Sequence, residues 1–136
     1  MLVGKLDELT PRQVYQLLKL RVDVFVVEQQ CPYEEIDEID ATATHILALE
    51  EGAVVGCARV YDGHVGRLCV DKRHRGTGLA QEIMTRALEL CDGPVEITAQ
   101  APLASYYEQF GFAQVGEEFD WDGIPHVPMR LEKFPG

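Results

Sequence analysis

The apolar positions of this chain change period repeatedly, and each change marks an element. Thr10-Pro11-Arg12-Gln13 has the form of a helix start. Thr can cap, Pro sits at the first helical position where its missing N–H costs nothing, and Gln closes a capping box. Val14, Leu17, Leu18, Val22 and Phe25 follow at helical spacing, which predicts a helix running into the mid-twenties. The stretch 31–44, CPYEEIDEIDATAT, is acidic and aperiodic and reads as a loop. Residues 45–49 and 54–61 are short β-type runs separated by Glu51-Gly52, a hairpin signal, and Asp62-Gly63 turns the chain into a further strand over 65–70. The next helix shows a polar side of Gln81, Glu82, Thr85, Arg86, Glu89 and Asp92. Its apolar side, Leu79, Ile83, Met84, Ala87, Leu88 and Cys91, is suited to packing on a sheet, and Gly93-Pro94 ends it. Residues 95–100 alternate as a strand, and 103–110 read as a short helix closed by Gly111. Residues 112–119 and 126–131 read as two last strands around Asp122-Gly123-Ile124-Pro125.

The order helix, three strands, helix, strand, helix, two strands predicts an α/β fold: a mixed central sheet flanked by helices. The strand–helix–strand unit over 65–100 should place its strands side by side, parallel, with a right-handed crossover. With 136 residues and no repeat, linker or low-complexity stretch, residues 1–136 are expected to form a single domain.

Composition narrows the function classes. Hydrophobic residues at 46% and charged residues at 26% fit a soluble globular chain. A net charge of -11 weighs against nucleic acid and anionic membrane surfaces, yet would attract a cationic substrate. No signal peptide or membrane span is expected, since no stretch approaches ~18 apolar residues. Cys31, Cys57, Cys69 and Cys91 show no CxxC spacing, so no metal is expected. Cys57, Cys69 and Cys91 lie in apolar runs and read as small buried hydrophobes, which suits a reducing cytoplasm.

Against that acidic background, VGRLCVDKRHRGTGLAQEIMTRALELC (65–91) reverses the charge locally: an apolar strand, a basic glycine-containing turn, then a helix. Backbone N–H groups at a helix start form an anion site, and Lys72, Arg73 and Arg75 stand around this one. Two nucleotide loops fail. A Walker loop needs Lys-Ser/Thr after its last glycine, but Gly78 precedes Leu79-Ala80; a dinucleotide fingerprint lacks its third glycine. Arg75-x-x-Gly78-x-Ala80, with Val70 on the preceding strand, resembles the acetyl-CoA loop of the GNAT N-acetyltransferase superfamily. Gln100-x-x-Leu103-Ala104-x-x-Tyr107-Glu108-x-x-Gly111-Phe112 resembles that superfamily's fourth-helix motif. Leu20 to Gln29 with Cys31-Pro32-Tyr33, Asp37, Asp40, His45, Gly66-Arg67, Ala99-Gln100-Ala101 and Asp122 to His126 resemble its ElaA-like branch. Together these matches span nearly the whole chain.

The resemblance implies the GNAT fold, acetyl-CoA as donor and an amine-bearing small molecule or peptide as acceptor. It places the pyrophosphate on the backbone of Gly76, Thr77, Gly78, Leu79 and Ala80, between Arg75 and Gln81. Lys72, Arg73 and His74 are left as phosphate contacts or a solvated turn. The backbone of Leu68, Cys69 and Val70 would hold the pantetheine arm and acetyl oxygen, with Cys69 a packing residue. Gln100 and Tyr107 complete the cofactor wall. Tyr107 is the candidate general acid toward sulfur, since a phenol of pKa ~10 keeps its proton at neutral pH. For the base, the candidates are Glu28, His45, Glu96 and His126. The acidic loop 31–40 is either a lure for a cationic acceptor or a solvated surface, and Arg67 is a partner for one of its carboxylates. Two other functions stay open: an acyl transferase resembling acyl-homoserine-lactone synthases, against which the chain length counts, and a non-catalytic acetyl-CoA sensor. A homodimer is also left open.

Overall fold

The computed structural model describes residues 1–30, 34–121 and 123–132. Strand β1 (Leu2–Gly4) leads through a 3-10 turn (Leu6–Glu8) into helix α1 (Pro11–Val22). The expected capping box is formed: Thr10 Oγ1 accepts from the Gln13 N–H at 3.1 Å, and Gln13 Oε1 accepts from the Thr10 N–H at 2.9 Å. The apolar pattern continues past Val22, but the backbone widens into a π-helix over Asp23–Glu28. The sequence pattern carried no sign of β1 or of this π segment. Helix α2 (Ile39–Thr42) then interrupts the stretch expected to be a loop. Cys31-Pro32-Tyr33 and Asp122 lie outside the described residues.

Strands β2 (Thr44–Glu50), β3 (Ala53–Tyr61) and β4 (His64–Val70) form a meander, and helix α3 (Leu79–Glu89) leads to β5 (Val95–Gln100). Helix α4 (Ala104–Glu108) follows, then β6 (Ala113–Gln114), β7 (Phe119–Trp121) and β8 (Ile124–Leu131). The strand expected over 112–119 is therefore split. Only Ala113 and Gln114 pair at one part of β8, while Phe119 to Trp121 pair at another. The sheet order is β1-β2-β3-β4-β5-β8-β6 with β7 also on β8; β4 and β5 are parallel and the other described pairs antiparallel.

Each face of the sheet buries its own cluster. On one, Ile83, Met84 and Ala87 of α3 pack fully buried against Ile46, Val55, Ala58 and Ile97. Gly56 allows that approach, since a Cβ there would stand 2.7 Å from Ile83 Cδ1. On the other, Leu17, Leu20 and Val24 meet Leu47, Val54, Cys57 and Cys69.

Beneath α1 lies a buried ion network. Arg21, 0% exposed, reaches Glu35 and, at 2.6 Å, Asp40. Arg59 binds Asp37 at 2.7 Å and Asp40 at 3.0 Å, and Arg67 binds Glu35 at 2.7 Å. Glu35, Asp37 and Asp40 of the acidic stretch are thus engaged by arginines, while Glu34 and Glu38 stay exposed. Burial alone would raise the Asp40 carboxyl, but hydrogen bonds and charge from Arg21 outweigh it and hold the group at about 2.

Arg21→Met should lower the free energy of unfolding by about 3–5 kcal/mol, because it strands two buried carboxylates; urea denaturation at neutral pH measures this. For Asp40 the folded pKa lies below the unfolded one. Its share of stability is therefore complete above about pH 4 and lost as pH falls toward about 2. Urea midpoints across that window should fall less in Asp40→Asn than in the parent chain.

Candidate active site

Parallel strands β4 and β5 share one register pair, His64 with Glu96, and then part. The cause is local. Between Cys57–Cys69 and Arg59–Gly66 the β3–β4 ladder slips by one residue, and Arg67 takes φ +54°. An extra residue bends the strand that carries it. Beyond Val65, the β4 edge facing β5 has no strand partner among the described residues, and a cleft of about 880 Å³ opens there. Leu68, Cys69 and Val70 line it. The Cys69 thiol is raised well above its usual value by its contact with Cys57 Sγ at 3.5 Å and by burial, which suits packing and not nucleophilic attack.

At the open end, a turn delivers the start of α3. Gly76 (φ +78°) and Gly78 (φ +86°) occupy the left-handed region that favours glycine. A Cβ at Gly76 would meet nothing within 4 Å, and one at Gly78 only Gln81 Oε1 at 4.0 Å. No side chain caps α3, so its first-turn N–H groups lack helical partners. Gly76, Gly78, Leu79, Ala80 and Gln81 all line the cleft, while Thr77 turns its hydroxyl to the His74 carbonyl at 2.5 Å. This bare, donor-rich ridge fits a phosphate chain.

The basic side chains of the turn divide between solvent and protein partners. Arg73 is 84% exposed and His74 binds Glu50 through Nε2. Arg75 forks onto Glu28 at 2.7 and 3.0 Å and donates from Nε to the Val70 carbonyl at 3.1 Å. It braces the end of β4 against the π-helix. Glu28 lines the cleft, but both its oxygens accept from Arg75, and that hydrogen bonding holds its carboxyl below the usual range, which disfavours it as a base. His45 is placed elsewhere. It is 0% exposed, does not line the cleft, and its Nε2 lies 3.0 Å from the Asp40 carbonyl.

Gln100, at the end of β5, lines the cleft and donates to Gln29 at 3.2 Å. Tyr107 of α4 lines it as well, set edge-on to Tyr106 and Phe112; burial and the neighbouring Tyr106 push its phenol up to about 12. Tyr106, its neighbour on α4, shares this wall. Glu96 lines the closed end near His64 and Arg130. His126 stands opposite Gln100 in the β5–β8 register and also lines the cleft. Its Nδ1 is 2.8 Å from the Ile124 carbonyl. A carbonyl only accepts, so Nδ1 carries the hydrogen, and in the neutral ring Nε2 keeps its lone pair.

Sequence reasoning missed Arg21, Arg59 and the aromatic neighbours of His126. One signal was present for the first: Arg21 falls at helical spacing between Leu17 and Val24, a charge on an apolar stripe. Arg59 likewise interrupts the apolar run of β3 and is itself buried.

A sheet that parts beside a helix start bearing open glycines defines a class of acyl-CoA-dependent transferases. A family model for an acetyltransferase (GNAT) domain matches residues 6–133, and the chain belongs to that family. It is 41% identical to the protein ElaA of Escherichia coli over 140 residues, which cover 93% of this chain and 92% of that one. The crystal structure of Escherichia coli ElaA superposes with a TM-score of 0.88 at 39% identity, covering 96% and 97% of the two chains. An acyl-CoA N-acyltransferase from Pseudomonas aeruginosa gives 0.90 at 37% identity, with the same coverage. The acyl-homoserine lactone synthase BjaI shares the fold, at a TM-score of 0.81 and 18% identity over 96% of this chain and 81% of that one.

Gly78→Glu should abolish CoA binding by calorimetry. The matched control is Gly52→Glu, at φ +82° on a hairpin with nothing within 4 Å. Both carry the same added charge and a similar left-handed strain of ~1–2 kcal/mol, so only loss confined to position 78 supports the ridge as the phosphate site.

Proposed function

We propose that this chain is an acetyl-CoA-dependent N-acetyltransferase acting on a primary amine by direct attack, with His126 as general base and Tyr107 as general acid. The observation that carries this reading is the parting of β4 from β5, with the bare glycine ridge at its mouth and both side chains on its walls.

The reaction joins the amine nitrogen to the acetyl carbon and breaks the carbon–sulfur bond. The unpartnered edge at Leu68 to Val70 offers backbone groups to the thioester. One preorganised N–H bond to a developing oxyanion contributes ~3 kcal/mol. His126 Nε2 takes a proton from the amine, and the imidazolium is steadied by the Nδ1–H bond to Ile124. Tyr107 donates toward the departing sulfur. A phenol near 12 is a weak acid against a thiolate, so its main work is the hydrogen bond, with proton passage as negative charge builds on sulfur. Retention of both groups supports an enzyme over a sensor. The free thiols of Cys57, Cys69 and Cys91 suit a reducing cytoplasm.

Acetyl-CoA at a hundred times its Kd should add ~2.7 kcal/mol of stability, read as a raised melting temperature. No shift at millimolar ligand would overturn the donor assignment. In a thiol-release assay, Tyr107→Phe should lower kcat about a hundredfold with CoA affinity kept. His126→Ala should lower kcat similarly, and added imidazole should restore part of it; unchanged turnover would remove His126 as base.

A further inference from the structure

Phe119 and Trp121 alternate on β7 and so share a side of the strand. They are 43% and 45% exposed, and their ring centroids stand 6.2 and 5.3 Å from that of His126. Large aromatic surface left in water around a cleft-lining imidazole marks a binding wall. Trp121 itself lines the cleft, so the wall is continuous with the acetyl-transfer site.

The charges along the cleft add a second constraint. Every arginine that lines it is already paired among the described residues: Arg59 with Asp37 and Asp40, Arg67 with Glu35, and Arg75 with Glu28. The half-exposed Glu96 carboxylate lines the same cleft, with His64 at 3.6 Å and Arg130 at 3.5 Å, so no unpaired cation stands beside it among the described residues. An ammonium is welcome in such surroundings, above all beside an indole face. A carboxylate next to the amine would find its arginine partners engaged.

We infer that the acceptor is a primary amine on a flat apolar body, with no carboxylate beside its nitrogen. The ring of the acceptor lies against Trp121, and its nitrogen faces His126 Nε2. Trp121 is therefore a specificity-determining residue. This inference rests on the acetyl-transfer reading above and commits it to a substrate class.

The test uses thiol release from acetyl-CoA with matched acceptors. 2-Phenylethylamine and L-phenylalanine differ by the carboxylate; ethanolamine carries a hydroxyl in place of the ring of 2-phenylethylamine. The expected kcat/KM for 2-phenylethylamine exceeds that of either comparator at least tenfold. Trp121→Ala should raise KM for 2-phenylethylamine about tenfold, leaving kcat near its parent value and CoA affinity by calorimetry unchanged. Equal turnover of L-phenylalanine or ethanolamine, or an unmoved KM in Trp121→Ala, overturns the acceptor class while acetyl transfer itself stands. Absence of thiol release with every amine, in a chain that binds acetyl-CoA, overturns both readings.

Discussion

The structure depends on a buried ionic network that ties α1, the acidic segment and the two central strands together. Arg21, Arg59 and Arg67 balance Glu35, Asp37 and Asp40, so the cluster is neutral as a whole. Such a cluster is a poor source of net stability, because desolvation offsets most of its Coulomb attraction. Its value is geometric. Arg67 sits at the bulge of β4 in a left-handed conformation, and its guanidinium is held by Glu35 and Asp37. The network thereby fixes the residue at which β4 turns away from β5. The cleft is the consequence of that bend.

A division of labour follows. Most charged groups near the cleft pair within the protein, and the glycine ridge offers backbone N–H groups instead. Arg75, which seemed made for phosphate, holds the end of β4 to the π-helix through Val70 and Glu28. The ridge keeps its N–H groups because glycines leave the space above them open. Backbone donors aimed by a helix start need no side-chain entropy to be ordered on binding. Such a site persists in a chain of net charge -11 because its attraction is local.

Much of this was legible in the sequence, for definable reasons. The capping box at Thr10, the α3 stripe and the Gly76–Gly78 turn are local signals, and the structure reproduces each. The family motifs located the cleft walls at Leu68 to Val70 and at Tyr107. What failed was non-local. Nothing near residues 34–40 reveals that arginines from α1, β3 and β4 converge on them. His45 looked like any polar residue opening a strand until tertiary packing buried it. The split between β6 and β7 likewise follows from how β8 is shared, which no single stretch encodes.

On the proposed reading the cleft has a donor half and an acceptor half, and they differ in construction, which explains why sequence motifs pointed to the one and not to the other. The donor half is built from glycine conformations and a strand edge, features that a short motif must preserve to work at all. The acceptor half is built from side chains on a hairpin, where β7 meets β8, and these can change without disturbing the fold. His126 straddles the two. Its backbone pairs with Gln100 of the donor strand, while its ring sits among the aromatics of the acceptor wall. Its Nδ1 bond to Ile124 keeps that orientation independent of whichever side chains flank it. On that reading, a base anchored through backbone, beside a replaceable aromatic wall, would let acceptor choice vary while the proton-transfer geometry stays fixed.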